Sequence, residues 1–589
     1  MAEDPFAHLH NESYADATSF PRAEFDTLIT TTGRATIPLN GPWHFTPDLF
    51  DEGLRQRWYE ADATPPSDWD KPRDYDESGA VRVWVPGCWS MQKPELRYFE
   101  GAAWYARTFK WDGRAPRLFL QAGAANYEAR VFLNGHFVAA HRGGSTPFSV
   151  ELTQHVQHGE NRLLIQVENR RRADRVPMHH FDWFNHGGLY RDVALVPLPR
   201  TFIRDLFVRL TDEGIAVDVG LSDPADGTVS CQIAKLGMDL AIPVVQGHGS
   251  ATIQASPELW SPETPRLYDV TASFGADQVS DRVGFRRIQA IGERIRLNDA
   301  DLYLRGICVH EDDVLAGKCS DEADIRRRFA DAKALGCNFL RLAHYPHHDL
   351  VARIADEVGI LLWAEIPVYW AIDFANPDTY ADAENQLLEL IHRDRNRASV
   401  IIWGVGNENA DTNARFAFMS RLAERARTAD PTRLISAACL INRDLFRIED
   451  RLAAHLDVIG INEYFGWYEP DFTGLEQLLA NSRPGKPVVI SETGADALAG
   501  HRGPVTDLFT EDRQAEIYRR QLAIVAGAPY IRGFCPWLLY DYRTERRQTR
   551  FQRGFNRKGL IAEDKRTRKL AFSVLAAHYH GLMQTRTPS

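Results

Sequence analysis

The chain has 589 residues, 44% of them hydrophobic, and a net charge of −11; at roughly 100–200 residues per domain this length implies about three or four domains with sizeable cores. Acids and bases are intermixed, so no basic face invites nucleic acid, and an anionic ligand would need a local basic pocket. Seven scattered cysteines without Cys-x-x-Cys spacing read as reduced core residues, and neither the opening Met1-Ala-Glu-Asp-Pro-Phe6 nor any later apolar run resembles a signal peptide or a membrane span. The expectation is a cytoplasmic protein that engages neither nucleic acid nor membrane.

Residues 1–198 are strand-like. Val131-Phe-Leu133 and His136-Phe-Val138 flank Asn134-Gly135, the dipeptide that best accepts positive φ at both turn positions, which predicts a tight hairpin. Leu163, Ile165 and Val167 alternate with Leu164, Gln166 and Glu168, a pattern that predicts a half-buried strand. Turn-rich segments such as Arg142-Gly-Gly-Ser-Thr-Pro147 separate these runs, as a jelly-roll β-sandwich requires. From 199 to 289 the runs shorten, as in Gly214–Val219, Thr228–Ile233 and Leu267–Ala272. Their spacing predicts an immunoglobulin-like sandwich.

From 290 to 589 strands alternate with helical patterns. Strand candidates end near His310, Tyr345, Pro367, Glu408, Leu440, Tyr464, Glu492 and Leu539. Ile325, Phe329 and Ala332 share one helical face, closed by Gly336 as a C-terminal cap. Eight strands in this alternation predict a (β/α)₈ barrel.

Two of those strands deliver acids. Glu408 closes Val400-Ile-Ile-Trp-Gly-Val-Gly-Asn-Glu408 and Glu492 closes Pro487-Val-Val-Ile-Ser-Glu492. An unbroken apolar run is a strand buried on both faces, and its C-terminal end faces the active site of a barrel. Two carboxyls brought across a barrel mouth suit cleavage of a glycosidic bond, which needs a proton donor for the leaving oxygen and a carboxylate for the oxocarbenium-like carbon. Burial and mutual charge must push the two pKa values apart. A separation of about 5–5.5 Å would retain configuration and one of about 6.5–9.5 Å would invert it, so spacing along the chain leaves the roles and the stereochemistry open. Asn407 and Asn409 flank Glu408 with amide groups, and Glu365 is a third strand-end acid.

Five motifs carry a resemblance that covers nearly the whole chain: Gly306-Ile-Cys-Val-His-Glu-Asp312, Asn338-Phe-Leu-Arg-Leu-Ala-His-Tyr-Pro346, Gly404-Val-Gly-Asn-Glu408, Asn462-Glu-Tyr-Phe-Gly-Trp-Tyr468 and Ser491-Glu-Thr-Gly494. Together with Leu259-Trp-Ser-Pro-Glu-Thr-Pro-Arg-Leu-Tyr268, they resemble the family 2 glycoside hydrolases, and within them the β-glucuronidase branch. The resemblance implies a retaining exo-β-glycosidase with Glu408 as acid/base and Glu492 as nucleophile. It further implies that Asn407 binds the sugar 2-hydroxyl, that Tyr464 holds the nucleophile, and that Tyr468 lines the same wall. Glu463 and Phe465 replace an Arg and a Tyr of the family's stretch. Glu365 would lie behind the catalytic pair.

Glucuronides differ from galactosides by a carboxylate at C6, which calls for a fixed cation. Asn556-Arg-Lys558-Gly559 resembles the family's Asn-x-Lys uronate grip, although Asp541–Arg553 departs from the usual glucuronidase sequence. Phe181-Asp-Trp-Phe-Asn-His-Gly-Gly-Leu-Tyr-Arg191 resembles the segment that sends an Asp into the pocket, which makes Asp182 a candidate partner for a sugar hydroxyl, joined by His310. Trp537, at the end of the eighth strand, would form the platform under the ring. His310, His344, His347 and His348 could suggest zinc, but His344-Tyr-Pro346 belongs to a family barrel motif, so neither metal nor cofactor is expected. The expected partner is a carbohydrate, a β-glucuronide first, with β-galacturonide and β-galactoside as alternatives. Homo-oligomers are common in the family. A non-catalytic carbohydrate-binding scaffold is the alternative from another class, since fold alone does not prove activity.

Overall fold

The structure is a computed structural model that describes residues 21–60, 75 and 80–584; the opening Met1–Phe6 lies outside them. Among the described residues no helix is long and apolar enough to cross a membrane.

The N-terminal part is a sandwich of two antiparallel sheets. Six strands run in the order Val81–Val85, Gly41–Asp48, Ala102–Trp111, Gly159–Glu168, Glu128–Leu133, His136–Arg142, and four in the order Ile37–Pro38, Val193–Leu198, Arg117–Ala122, Phe148–Glu151. Their inner faces close on one core that includes Trp43, Phe45, Trp89, Tyr105 and Leu120. The predicted hairpin forms, with Asn134 at φ 51° and Gly135 at φ 84°, and Leu133 pairs with His136 across it. The half-buried reading of the 163–168 strand is overturned. Leu164, Gln166 and Glu168 are buried together with Leu163, Ile165 and Val167. Trp58, Trp104 and Phe132 cover Leu164 from the second side, while Glu168 is buried among Arg130, Arg172 and Arg175. Alternation in the sequence marks the face that meets the main core; it does not report a second cover.

Seven strands from Ile203–Thr211 to Asp277–Val283 follow in the immunoglobulin-like unit. Its two halves are joined in the ladder only where Val244–Val245 pairs with His248–Gly249, and both line one core around Val217, Val229, Ile242 and Val270.

A three-stranded ribbon (Ile288–Ile291, Arg294–Leu297, Ala300–Leu302) then leads into a closed barrel of eight parallel strands: Leu304–Val309, Phe339–Leu342, Leu361–Glu365, Val400–Asn407, Leu434–Cys439, Val458–Asn462, Val488–Glu492 and Ile531–Phe534. Ile288, Ile295, Leu297 and Leu302 of the ribbon pack with Leu304, Leu361, Leu434 and Val458 at the starts of barrel strands, plugging the end opposite the acids. The helix predicted around Ile325 spans Glu322–Leu335 and ends at Gly336 with φ 91°. The eighth strand stops at Phe534 rather than near Leu539. Cys535 N still donates to Ile490 O at 2.8 Å and Trp537 N to Thr493 O at 2.8 Å, but Pro536 has no N–H to continue the ladder. Trp537 therefore lies on an irregular extension beyond the strand, and Tyr464 likewise lies two residues beyond the sixth.

Candidate active site

The barrel mouth is organised around Arg341, on the second strand, whose side chain is fully buried. Its Nε and Nη2 each donate to Glu365 at 3.0 Å, Nη1 donates to Glu492 Oε1 at 2.8 Å, and Nη2 also reaches Asn407 Oδ1 at 2.8 Å. One guanidinium thus ties together the ends of the third, fourth and seventh strands. Such a buried charge is tolerated only because carboxylates and a carbonyl occupy its donors.

Glu492 receives a second donor, the Tyr464 hydroxyl at 2.7 Å from Oε2. Burial pushes its carboxyl up to about 8, and the Glu408 charge adds to the rise against the pull of Arg341 and Tyr464. Glu408 follows its strand at φ 53°, a left-handed conformation that costs energy for a residue other than glycine. Its Oε1 accepts from Asn462 Nδ2 at 2.8 Å and its Oε2 from Trp370 Nε1 at 2.8 Å. Asn462 Nδ2 also reaches Asn407 Oδ1 at 3.1 Å, so the two acids are linked through Asn462, Asn407 and Arg341. Asn409 does not face the acid: its amide donates to Trp370 O at 2.8 Å and so holds the tryptophan that does.

Asn407 has its Oδ1 doubly occupied and its buried Nδ2 without a partner; His310 has Nδ1 at 3.0 Å from the Tyr345 hydroxyl and a buried Nε2 without a partner. Burial holds the His310 and His344 imidazoles well below their ordinary pKa, so both are neutral. His344 is spent on Glu365 at 2.8 Å and His347 on Ala343 O at 3.0 Å. No group of three or more His, Cys, Asp or Glu among the described residues is arranged to hold a metal ion. Trp537 stacks on His344 with ring centroids 4.9 Å apart and meets His310 edge-on at 5.2 Å.

At the far side Lys558 Nζ donates to Asp496 Oδ2 at 2.6 Å and to the Tyr468 hydroxyl at 3.0 Å. Burial works against the ammonium, and the Asp496 carboxylate outweighs it, holding the Lys558 pKa above its ordinary value. Asn556 bonds the Tyr542 hydroxyl at 3.2 Å and lies 3.5 Å from Asp182 Oδ2. Asp182 comes from the N-terminal domain on a segment docked to the barrel loops: His186 Nε2 is 3.2 Å from Asp312 Oδ1, and Arg191 Nη2 donates to Glu311 Oε2 at 2.9 Å. Thr544 and Arg547 hold its carboxylate at 3.0 and 2.6 Å.

The two clusters meet where Tyr464 packs on Tyr468 with ring centroids 5.3 Å apart and His310 stacks on Tyr542 at 4.2 Å, so all ten singled-out residues, Asp182, His310, Asn407, Glu408, Tyr464, Tyr468, Glu492, Trp537, Asn556 and Lys558, fall within one network of contacts. Glu463 and Phe465 do not: Glu463 is buried against Gln521 and the Phe465 amide, where burial raises its pKa to about 7, and Phe465 packs in the barrel core. Arg341, Trp370, Asn462, Asp496 and Arg547 were not singled out from the sequence. For Arg341 a signal existed, a charge inside the otherwise apolar Phe339–Leu342; for Trp370 and Arg547 there was none.

A closed (β/α)₈ barrel with two linked carboxyls at its mouth and stacked aromatics beside them defines a carbohydrate-cleaving hydrolase. Family models bear this out along the chain: the sugar binding domain of glycosyl hydrolases family 2 matches residues 37–199, the model named for the family matches 201–286, and its TIM barrel domain matches 288–582. The chain belongs to glycosyl hydrolases family 2 and is a glycosidase. Among curated relatives, a β-glucuronidase of Paenibacillus borealis is 29% identical, over 92% of this chain and 96% of its own. Among solved structures, a β-glucuronidase from an uncultured Clostridium sp. has a TM-score of 0.82 at 27% identity, covering 94% of this chain and 99% of that one. A family 2 β-galacturonidase from Eisenbergiella tayi bound to galacturonate has a TM-score of 0.81 at 27% identity, covering 93% and 97%.

Proposed function

We propose that the protein hydrolyses terminal β-D-glucuronides by double displacement, with Glu492 as nucleophile and Glu408 as acid/base. Arg341 and Tyr464 both donate to Glu492, and these contacts oppose the rise that burial imposes on its carboxyl, which supports the ionised form a nucleophile needs. Glu492 would attack the anomeric carbon as Glu408 protonates the departing glycosidic oxygen; water activated by Glu408 would then release the sugar with retention. The unpartnered Nδ2 of Asn407 supports a hydrogen bond to the 2-hydroxyl, and His310 Nε2 supports a second sugar contact. Trp537 would carry the ring face and Asp182 a further hydroxyl.

The observation that carries the uronate reading is the buried ammonium of Lys558, held beside Asn556 and Tyr468. The β-glucuronidase activity of the relatives supports it. The Eisenbergiella tayi structure favours β-galacturonides as the second reading, because both sugars share the C6 carboxylate and differ at C4. Seven cysteines without disulfides suit a reducing, cytoplasmic setting.

Turnover of p-nitrophenyl β-glucuronide, galacturonide and galactoside tests the reading. The glucuronide should be preferred, and Lys558→Ala should lower kcat/KM on it more than on the galactoside. A preference for the galactoside would reject the uronate assignment, and equal losses would remove Lys558 from C6.

A further inference from the structure

The cation assigned to C6 is already compensated. Lys558 and Asp496 form an ion pair of two buried side chains at 2.6 Å, and Asp182 brings a second carboxylate to the same end of the pocket. Counted alone, Lys558, Asp496 and Asp182 sum to one negative charge, which would repel a uronate in a site of low dielectric. Arg547 brings that sum to zero. It lies in Asp541–Arg553, the segment that departs from the usual glucuronidase sequence, and its Nη2 donates to Asp182 Oδ2 at 2.6 Å. Its Nη1 reaches the Tyr468 hydroxyl at 3.3 Å, the same oxygen that accepts from Lys558 Nζ at 3.0 Å. The two cations therefore flank one phenolic oxygen, with Asn556 3.5 Å from the same Asp182 atom. The Nε of Arg547 is buried and has no partner, so the guanidinium still has an unused donor.

We propose that Arg547 is a specificity-determining residue of this chain: a second cation that receives the C6 carboxylate together with Lys558 and cancels the charge of Asp182. A planar guanidinium suits this role because it can hold Asp182 on one edge and present other donors to a second carboxylate. The neighbouring Arg546 lies over the Trp370 ring at 5.1 Å, and Trp370 bonds Glu408. The departing segment thus spans the mouth from the acid/base to the uronate end.

The inference rests on the uronate reading, and its test separates the two. Inhibition constants are measured for a glucuronate-configured lactam and for its glucose-configured counterpart, in which a hydroxymethyl group replaces the carboxylate, with the intact enzyme and with Arg547→Gln and Arg547→Lys. Arg547→Gln is expected to weaken the uronate-configured lactam by about ten- to a hundredfold and the neutral one by less than about threefold, in line with the loss of one charge-assisted hydrogen bond. Arg547→Lys should recover part of the difference through its charge. Equal weakening of both lactams, with no recovery by lysine, would reduce Arg547 to a support for Asp182 and overturn the proposal. If the unmodified enzyme itself shows no preference for the uronate form, the uronate reading and this inference fall together; if that preference exists and survives in Arg547→Gln, only this inference falls.

Discussion

Replacing Tyr464 by Phe removes one defined contact, the hydroxyl 2.7 Å from Glu492 Oε2, and leaves Arg341 on the other oxygen at 2.8 Å. A hydrogen bond to a charged group contributes about 1.5–3 kcal/mol, and each ~1.36 kcal/mol is a factor of ten. The hydroxyl opposes the rise that burial imposes on Glu492, so its loss raises that carboxyl further and favours the protonated form, which cannot attack. With p-nitrophenyl β-glucuronide as substrate, kcat/KM of Tyr464→Phe should fall roughly ten- to a hundredfold between the two limbs of the pH profile. The acid limb, which reports ionisation of the nucleophile Glu492 from its raised value of about 8, should move to higher pH by about one to two units. Thermal melting of the variant controls for folding. An unmoved acid limb, with the loss confined to KM, would refute the argument and make Tyr464 a sugar contact instead.

Glu492 also predicts a stability effect. Its folded-state value is raised from 4.5 to about 8, so the folded protein binds a proton that the unfolded chain releases, and the associated stability is lost as pH rises from 4.5 through about 8. Glu492→Gln should therefore raise Tm relative to the parent at pH 9 more than at pH 5, and a difference independent of pH would contradict the assigned burial. At pH 9, above the Glu492 value of about 8, Arg341→Met leaves Glu365 and Glu492 buried without their common counter-ion, which should lower unfolding free energy by about 3–5 kcal/mol. Denaturant titration of the full chain measures it, and a loss below about 1 kcal/mol would mean that the two acids shed their charge instead of keeping it.

Much of the architecture was legible because it is written in local patterns. The turn at Asn134-Gly135, the cap at Gly336 and the unbroken apolar run ending at Glu408 each state a backbone requirement within a few residues. The second cover over Leu164, Gln166 and Glu168 is supplied by side chains remote in sequence and leaves no local pattern. The early end of the eighth strand has a local cause instead, Pro536 two residues beyond Phe534.

The same division runs through the site. The two acids, the asparagine before Glu408 and the Asn556/Lys558 pair are each announced by their neighbours in the chain. Tertiary structure alone decided that Arg341 connects three strand ends, that Lys558 already has Asp496, and that Asp182 and Arg547 meet across a domain boundary. Charges act through space, and their balance depends on which side chains share a low-dielectric pocket. The sequence therefore determined which groups could break a glycosidic bond, and folding determined how many charges a bound sugar meets.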